Sequence, residues 1–583
     1  MAAVRCQAAA TAERPLEQEA ESLTRRMFRI SEEQEHSNQQ ASGAGGGTTY
    51  AALQKADEAW LKMRTMKTGA AAGPAPQTVR ESSQRLGTKL DYDVVMCGGT
   101  LGVFLACLLQ LNGFRVAIVE RGPLKGRSQE WNISRAEVNE LVDQGLVTQQ
   151  EADECITSEF NPVRAGFHKG TEVWVRDILN IGVRPEILIA KVRQRFVDNG
   201  GQLYEMAAAT EVTVHPDGVD LGLTGPPPGK GPQPPQPLPP HVTCRLVLDC
   251  MGNASPIVRQ ARWGTKPDGV CLVVGACCRG FDKEKNTAGD LIYTTTDAQL
   301  GDARVPWSQY FWEAFPAGSG PADRTTYMFS YMDADSRRPT LEAMLEDYWH
   351  LMPEYQQVKL DDLIPQRILF GMFPTYRKSP LPPSFDRILQ IGDASGVQSP
   401  LSFGGFGALM RYLPRLKAAL LEALEVDALD REALAAINGY NPGLSGAWML
   451  QRAMSIQVGQ NTDPSFINQL LSKNFAAMKR QGPATLRPFL QDVVQFGGLA
   501  STLSGQVLAD PFFTPKIFGH VGIGPLLDWT RHFVSLGTYT ALHKYATSST
   551  PPSQQSGLTP RQRYFKNRQR EAWKYGSGLD YKH

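Results

Sequence analysis

The run Asp93-Val-Val-Met-Cys-Gly-Gly-Thr-Leu-Gly102, followed by Val116-Ala-Ile-Val-Glu120, has the residue types and spacing of a dinucleotide site. An apolar strand enters a glycine-rich turn, a helix of small and apolar residues begins, and a second apolar strand ends in an acid. Glu120 lies 23 positions after Cys97, near the spacing of ~20 at which a carboxylate meets a ribose hydroxyl. Gly98 and Gly99 let the backbone approach a pyrophosphate, and Gly102 lets helix and strand pack closely. The helix N-terminus adds N–H donors and a positive dipole. Cys97 stands where the G-x-G-x-x-G pattern has its first glycine, which predicts weaker dinucleotide binding. Arg121 and Arg127 are candidates for phosphate contact.

The elements that must position these residues can be read from periodicity and punctuation. A strand over 91–97, a helix over 101–112 and a strand over 114–120 form the opening βαβ unit. Capping boxes start short helices at Ser134-x-x-Glu137 and Thr148-x-x-Glu151, and a helix over 185–199 ends at Gly200-Gly201. His215-Pro-Asp-Gly218 is a turn between two strands. Residues 225–240, almost all Pro, Gly and Gln, must be an exposed loop. Strands over 245–249, 271–276, 291–295, 310–315 and 325–331 follow, the last four suggesting an antiparallel sheet inserted into the dinucleotide fold. A strand over 387–391 leads into Gly392-Asp393, and beyond about 410 the pattern is helical.

The chain has 583 residues with a formal net charge of +1, enough for two or three domains and without the basic excess of a nucleic-acid binder. Its nine cysteines lack metal-ligand spacing and read as reduced, mostly buried thiols, with a redox role for the adjacent Cys277-Cys278 as the alternative. No uncharged apolar run reaches the ~20 residues of a membrane span; the longest candidate covers 493–509. Residues 1–12 are Ala-rich with Arg5 and no acid, the flavour of an organelle transit peptide, but acids are frequent from Glu13 to Glu35. Residues 1–85 read as mostly disordered around one helix over 51–66. The tail beyond Pro560 interleaves Lys and Arg with Tyr564, Phe565 and Trp573, either a solvated face or a contact with an anionic membrane.

Two later segments choose the cofactor. Ile388-Leu-Gln-Ile-Gly-Asp393-Ala-Ser-Gly396 has the form of the second FAD signature of flavoproteins, and Leu246-Val-Leu-Asp249-Cys-Met-Gly252-Asn-Ala-Ser255 looks like the middle motif of that superfamily. Four phrases narrow the resemblance: Gly126-Arg-Ser-Gln-Glu-Trp-Asn-Ile-Ser134, Phe311-Trp-Glu-Ala-Phe-Pro-Ala-Gly-Ser-Gly320, Ser399-Pro-Leu-Ser-Phe-Gly-Gly-Phe-Gly407 and Glu571-Ala-Trp-Lys-Tyr-Gly-Ser-Gly-Leu-Asp580. From about residue 86 to the C-terminus the chain resembles the CruA/CruP branch of cyanobacterial and plastid lycopene cyclases, most closely its plant and algal CruP group.

That resemblance implies an α/β, Rossmann-type, glutathione-reductase-like FAD-binding fold with an inserted antiparallel-sheet substrate domain and a helical C-terminal region. The expected division is a transit-like region over 1–85 and FAD-binding parts over 86–270 and 385–425. A substrate-facing sheet spans 271–384, helices span 426–548, and a basic, aromatic tail spans 549–583. Gly98, Gly99, Gly102 and Glu120 would hold the adenosine and pyrophosphate. Gly392, Asp393 and Gly396 would hold the ribitol and pyrophosphate, with Gly404 and Gly405 passing the isoalloxazine ring. The implied reaction is redox-neutral cyclisation of a polyene end group by an acid beside reduced FAD, with the electron donor open and NAD(P)H among the candidates. The implied setting is the plastid, with a carotenoid substrate, peripheral thylakoid or envelope contact, and no nucleic acid.

The implied acid is Glu313, matching a Phe-Leu-Glu-Glu-like family motif in which Ala314 replaces the second Glu. Phe311, Trp312 and Phe315 would desolvate Glu313 and raise its pKa; a structural ion pair with Arg324 is the alternative. Two further readings stay open: a flavin oxidoreductase acting on a carotenoid or other isoprenoid, including reduction or de-epoxidation, and a non-catalytic carotenoid-binding paralogue.

Overall fold

Val94, Val95 and Met96 are fully buried because the strand that carries them, Tyr92–Cys97, lies inside a parallel sheet covered on both faces. The computed structural model describes residues 21–38, 49–397, 404–549 and 557–582. Tyr92–Cys97 pairs in parallel with Val116–Glu120 and His241–Asp249, which pair in turn with Gln202–Glu205 and Ile388–Gln390. The crossover helix Gly102–Leu111 is buried from Gly102 through Leu109, as expected of a helix that is apolar all round. Asp249 pairs with Cys97 on one side and Gln390 on the other. The turns after Cys97, Asp249 and Gln390 therefore open on one carboxyl edge of the sheet, with Glu120 at the end of the next strand. An antiparallel hairpin, Ala208–His215 and Gly218–Thr224, extends the sheet, and residues 225–240 form the exposed loop behind it.

The second sheet is mostly antiparallel. Its strand order is Ile364–Thr375, Gly269–Arg279, Asp323–Met332, Phe311–Pro316, Gly289–Tyr293, Val163–Gly166 and Glu172–Val175. Alternation along Phe311–Pro316 sorts its side chains. Trp312 packs with the helix Leu341–Gln356 on one face, while Phe311 and Phe315 join a core shared with the C-terminal helices on the other. Both capping boxes form at the expected positions, and Pro185–Asp198 is the expected helix.

The structure corrects the sequence reading in two places. Residues 163–175, expected in the FAD-binding part, are two strands of the second sheet. The N-terminal region is more ordered than expected. Leu23–Asn38 joins Tyr50–Arg64, the one helix foreseen, and Met27, Phe28, Leu53 and Trp60 are buried against the second sheet. Val79–Glu81 then adds a parallel edge strand to the first sheet. In the tail, the hydroxyl of Tyr564, on Pro560–Gly576, donates to the Ala433 carbonyl at 2.7 Å. Phe565 packs on the same core. Cys277 and Cys278 are both buried, as expected, Cys278 in the core shared with Leu341–Gln356 and Cys277 beside Thr325 and Arg367 on the other face. Burial raises both thiols, which suits inert packing rather than redox chemistry.

The cysteines among the described residues are free, and no group of ligating side chains among those residues could hold a metal. No described helix is long and apolar enough to cross a membrane; the apolar run at 493–509 folds as the short helix Phe496–Ala509. Residues 398–403, which include the start of the Ser399–Gly407 phrase, lie outside the described residues, as do residues 1–20 where the transit-like composition falls.

Candidate active site

The glycine turn is shaped by a single demanding position. Gly98 has φ +92°, and a Cβ on it would lie 2.7 Å from the Cys250 carbonyl oxygen, so only glycine fits without displacing backbone. Cys97 is the last residue of its strand, extended and buried with Val95 and Val119. The conformational load expected of the first glycine is borne by Gly98, which removes the reason for expecting Cys97 to weaken the site. Gly102 would meet Met96 Cγ at 2.7 Å, the close helix–strand packing its position implied. Gly99 would meet Leu124 and Ile118 side chains, so its need is for packing as well as for approach.

Glu120 completes this turn. Its Oε2 accepts from the Gly99 amide at 2.7 Å and its Oε1 from the Gly122 amide at 3.3 Å. Each oxygen keeps lone-pair capacity for a ribose hydroxyl. Arg121 next to it is exposed.

Across the carboxyl edge, Gly252 and Gly392 have φ +65° and +62° with nothing within 4 Å of a would-be Cβ, and Gly405 faces open space too. A cleft there is lined by Leu101 of the first turn, Gly392, Asp393, Gly405, Arg415 and Tyr575. It therefore unites the glycine turn, the second signature and the helix Gly405–Glu425. Burial raises the Asp393 carboxyl, and the buried Nε of Arg415 has no hydrogen-bond partner among the described residues. A carboxyl, a cationic side chain with one spare N–H and open glycine backbone lining one cleft suit a polyol linked to a diphosphate. Gly396, φ +74°, packs against Ser379 Oγ instead of facing this cleft. Gly404 precedes the helix as its N-cap.

Asp249 at the centre of this edge is fully buried and takes Ser255 Oγ at 2.6 Å and the Met251 amide at 3.1 Å. Ser255 in turn caps the helix Pro256–Ala261. The middle motif thus fixes a turn. Burial pushes the Asp249 carboxyl up to about 6, the two hydrogen bonds offsetting part of that rise.

The loop after Glu120 leads from this cleft to the second sheet. Arg127 donates from Nε and Nη2 to the carbonyls of Gln129 and Glu130, and its electrostatic neighbours are Tyr327, Glu130 and Arg367. That setting is the face of the second sheet rather than the glycine turn, a departure from the phosphate contact expected of it. Gln129 donates to Thr325 Oγ1 at 3.1 Å and accepts from Arg367 Nε at 3.2 Å. Arg367 also lies 3.7 Å from the Glu130 carboxylate.

Glu313 stands on this same face, directly opposite Tyr327 and 6% exposed. Burial raises its pKa well above the ordinary carboxyl value, and the nearby acid Asp492 adds to the rise. Among the described residues no cation and no hydrogen-bond donor reaches it. The ion pair with Arg324 does not form. Arg324 is opposite Pro316, donates to Asn286 and Ala288, and lies 3.9 Å from Asp290. A carboxyl so placed is biased toward its neutral, protonated form, the form in which a Brønsted acid acts.

Beside this face the C-terminal helices enclose an apolar chamber of about 320 Å³. Ile292, from the strand neighbouring Glu313, lines it with Met478, Leu490, Val493, Phe518 and Trp529. Leu490 and Val493 flank the turn that carries Asp492. Asp492, Arg367, Gln129 and Arg415 were not identified in the sequence. Only Gln129 had a signal, as part of the Gly126–Ser134 phrase.

Comparison with solved structures finds one that shares the fold. A crystal structure of a geranylgeranyl bacteriochlorophyll reductase-like protein from Thermoplasma acidophilum is similar over 75% of this chain and 99% of its own, with 13% identity and a TM-score of 0.50. Also similar are halogenase PltM in complex with phloroglucinol and FAD (12% identity, 84% and 98% of the two chains, TM-score 0.48) and the OxyS anhydrotetracycline hydroxylase from Streptomyces rimosus (17%, 69% and 76%, 0.46). No family model and no curated protein matches the chain. The architecture is the α/β, Rossmann-type fold of that reductase-like structure, with an inserted antiparallel sheet and a helical C-terminal region.

Proposed function

We propose that the chain binds FAD along the edge formed by Gly98, Glu120, Gly392 and Asp393. On this reading it is a lycopene cyclase-like isomerase in which Glu313 protonates the terminal alkene of a polyene. The observation that carries this is Glu313 itself, a buried carboxyl with no cation among the described residues to ionise it, on the sheet face beside a large apolar chamber. An ordinary glutamate would be about one part in a thousand protonated near neutral pH, and desolvation removes most of that handicap. The proton adds to the terminal double bond, an internal alkene closes the ring onto the resulting cation, and a proton leaves the adjacent carbon, so substrate and product have equal mass. Reduced flavin, when bound, supplies negative charge beside such a cation. At ~4 Å and an effective dielectric near 20 that is worth at most about 4 kcal/mol, a contribution that needs the acid as well.

The chamber is within the ~300–1,000 Å³ usual for small-molecule sites and admits one end of a long polyene. Asp492 is a candidate for receiving the proton, in the role that the family's second Glu would fill and Ala314 cannot. The family resemblance also supports a plastid setting.

Anaerobic incubation with lycopene, with and without chemically reduced FAD, tests the reading. The expected product has unchanged mass and needs reduced flavin, and Glu313→Gln lowers turnover at least a hundred-fold while flavin content is kept. A product heavier by two hydrogens, with donor consumed in proportion, would replace this reading with that of an isoprenoid reductase. Protein purified without flavin absorbance and unable to take up FAD would reject both.

A further inference from the structure

The six most exposed large apolar side chains among the described residues all lie between residues 508 and 545, and outside that stretch none exceeds the 50% of Trp174. Leu508 and Phe512, at 84% and 83%, sit at and just beyond the end of Phe496–Ala509. Phe518 follows on the short helix Thr514–Val521. The long helix Ile523–Ser549 then presents Ile523, Leu527, Thr530, Val534, Thr538 and Ala541 outward. Their spacing of four, three, four, four and three residues keeps them on one face, an uncharged stripe about 27 Å long.

Charge on this segment has one sign. Lys516, Arg531 and Lys544 are exposed beside the apolar side chains. The segment's two acids are engaged by bases from elsewhere, Asp510 by Lys473 at 2.9 Å and Asp528 by Arg377 at 2.7 Å. Val507 and Phe518 line the apolar chamber and are also 46% and 43% exposed, so the mouth of the chamber opens on this surface.

We propose that this face, from Leu508 to Ala541, docks on a phospholipid bilayer bearing anionic headgroups, with the chamber mouth turned toward the acyl layer. Exposed apolar side chains rimmed by bases, on helices too short or too polar to cross, match a segment lying in the interfacial plane. A second copy of the chain is the less suitable occupant, because a two-fold contact would bring the same basic rims together. The docking stands on this surface alone; only the loading of the chamber from the membrane rests on the proposed polyene substrate.

The test is co-flotation of the full chain with vesicles of phosphatidylcholine, or of phosphatidylcholine mixed with phosphatidylglycerol. The wild type is expected to float with the mixed vesicles, less so at high salt. Leu508→Glu with Phe512→Glu, two surface changes that leave the melting midpoint in place, should cut the bound fraction at least ten-fold. Arg531→Glu with Lys544→Glu should remove the preference for anionic vesicles. Arg563→Glu with Lys574→Glu on the C-terminal tail should leave binding unchanged. Three results would overturn the proposal: wild-type protein that stays unbound, binding lost through the tail pair but kept in the apolar pair, or a dimer in sedimentation that the apolar pair dissolves while vesicles are ignored. Flotation without lycopene conversion would keep the docking surface and reject the cyclase reading.

Discussion

Glu120 Oε2 accepts the Gly99 amide at 2.7 Å, so the acid ending one strand braces the glycine turn ending its neighbour. The residue read from spacing as a ribose ligand is also a structural tie. Glu120→Ala removes both backbone acceptors and should cost about 1–3 kcal/mol of stability together with flavin affinity. Glu120→Gln keeps one acceptor oxygen and should lose less of each. Thermal unfolding and flavin fluorescence titration on the two variants separate the tie from the ribose contact. Equal losses in both variants would contradict this dual role.

The turn makes opposite demands on adjacent residues. Gly98→Ala places a Cβ against the Cys250 carbonyl at a backbone angle that L-residues rarely adopt, and should lower bound flavin at least ten-fold or prevent folding. Cys97→Gly only empties a buried strand position, with flavin affinity expected to stay within about two-fold. Its measurable effect should be a stability loss of about 1–2 kcal/mol from the lost packing and a looser strand.

Two buried groups impose opposed pH dependences. Asp249, raised to about 6, binds its proton more tightly folded than unfolded, so its contribution is greatest at low pH and declines as pH rises from about 4 to 6. His520, stacked on Phe466 at 4.3 Å, has Nε2 3.0 Å from the Ser455 carbonyl. Burial lowers its pKa to about 4; its contribution is complete above 6.5 and is lost as pH falls toward 4. Each is worth about 3 kcal/mol, and in the wild type they largely cancel. Asp249→Asn should expose a steep loss of urea stability below pH 6, whereas His520→Gln should make stability rise as pH falls from 6 to 4. Parallel pH profiles in the two variants would refute the assignment.

Trp60 is fully buried, and its indole N–H donates to the Pro339 carbonyl at 2.8 Å. Asp57 on the same helix accepts the Leu341 and Glu342 amides that begin Leu341–Gln356. Trp60→Ala should therefore destabilise by about 3–5 kcal/mol, read as a lower denaturant midpoint. A change below 1 kcal/mol would mean that the N-terminal helices are only loosely attached.

What could be read from the sequence follows the range of the interactions involved. The opening βαβ unit, both capping boxes and the helix Pro185–Asp198 depend on periodicity and caps within a few residues, and they appear where expected. The helix Leu23–Asn38 and the docking of both N-terminal helices were hidden because Met27, Phe28, Leu53 and Trp60 are sparse apolar positions among charged and Gln residues. Their burial depends on a sheet two hundred positions away. Glu313 was reached through a family phrase, while its neighbour Asp492 had no local signal, since only the fold brings the two near. Residues 163–175 were misassigned for the same reason: a short alternating run does not reveal which sheet it joins.

That misassigned pair of strands has a mechanical consequence. The backbone leaves the dinucleotide sheet for the second sheet after residue 120, returns by 202, leaves again after 249 and returns at 388. Four covalent crossings bind the two sheets, so neither can be excised as a separately folding body, and a wide hinge between them would have to stretch every crossing at once. The apolar chamber is walled instead by the C-terminal helices, which follow the last crossing and return no strand to either sheet.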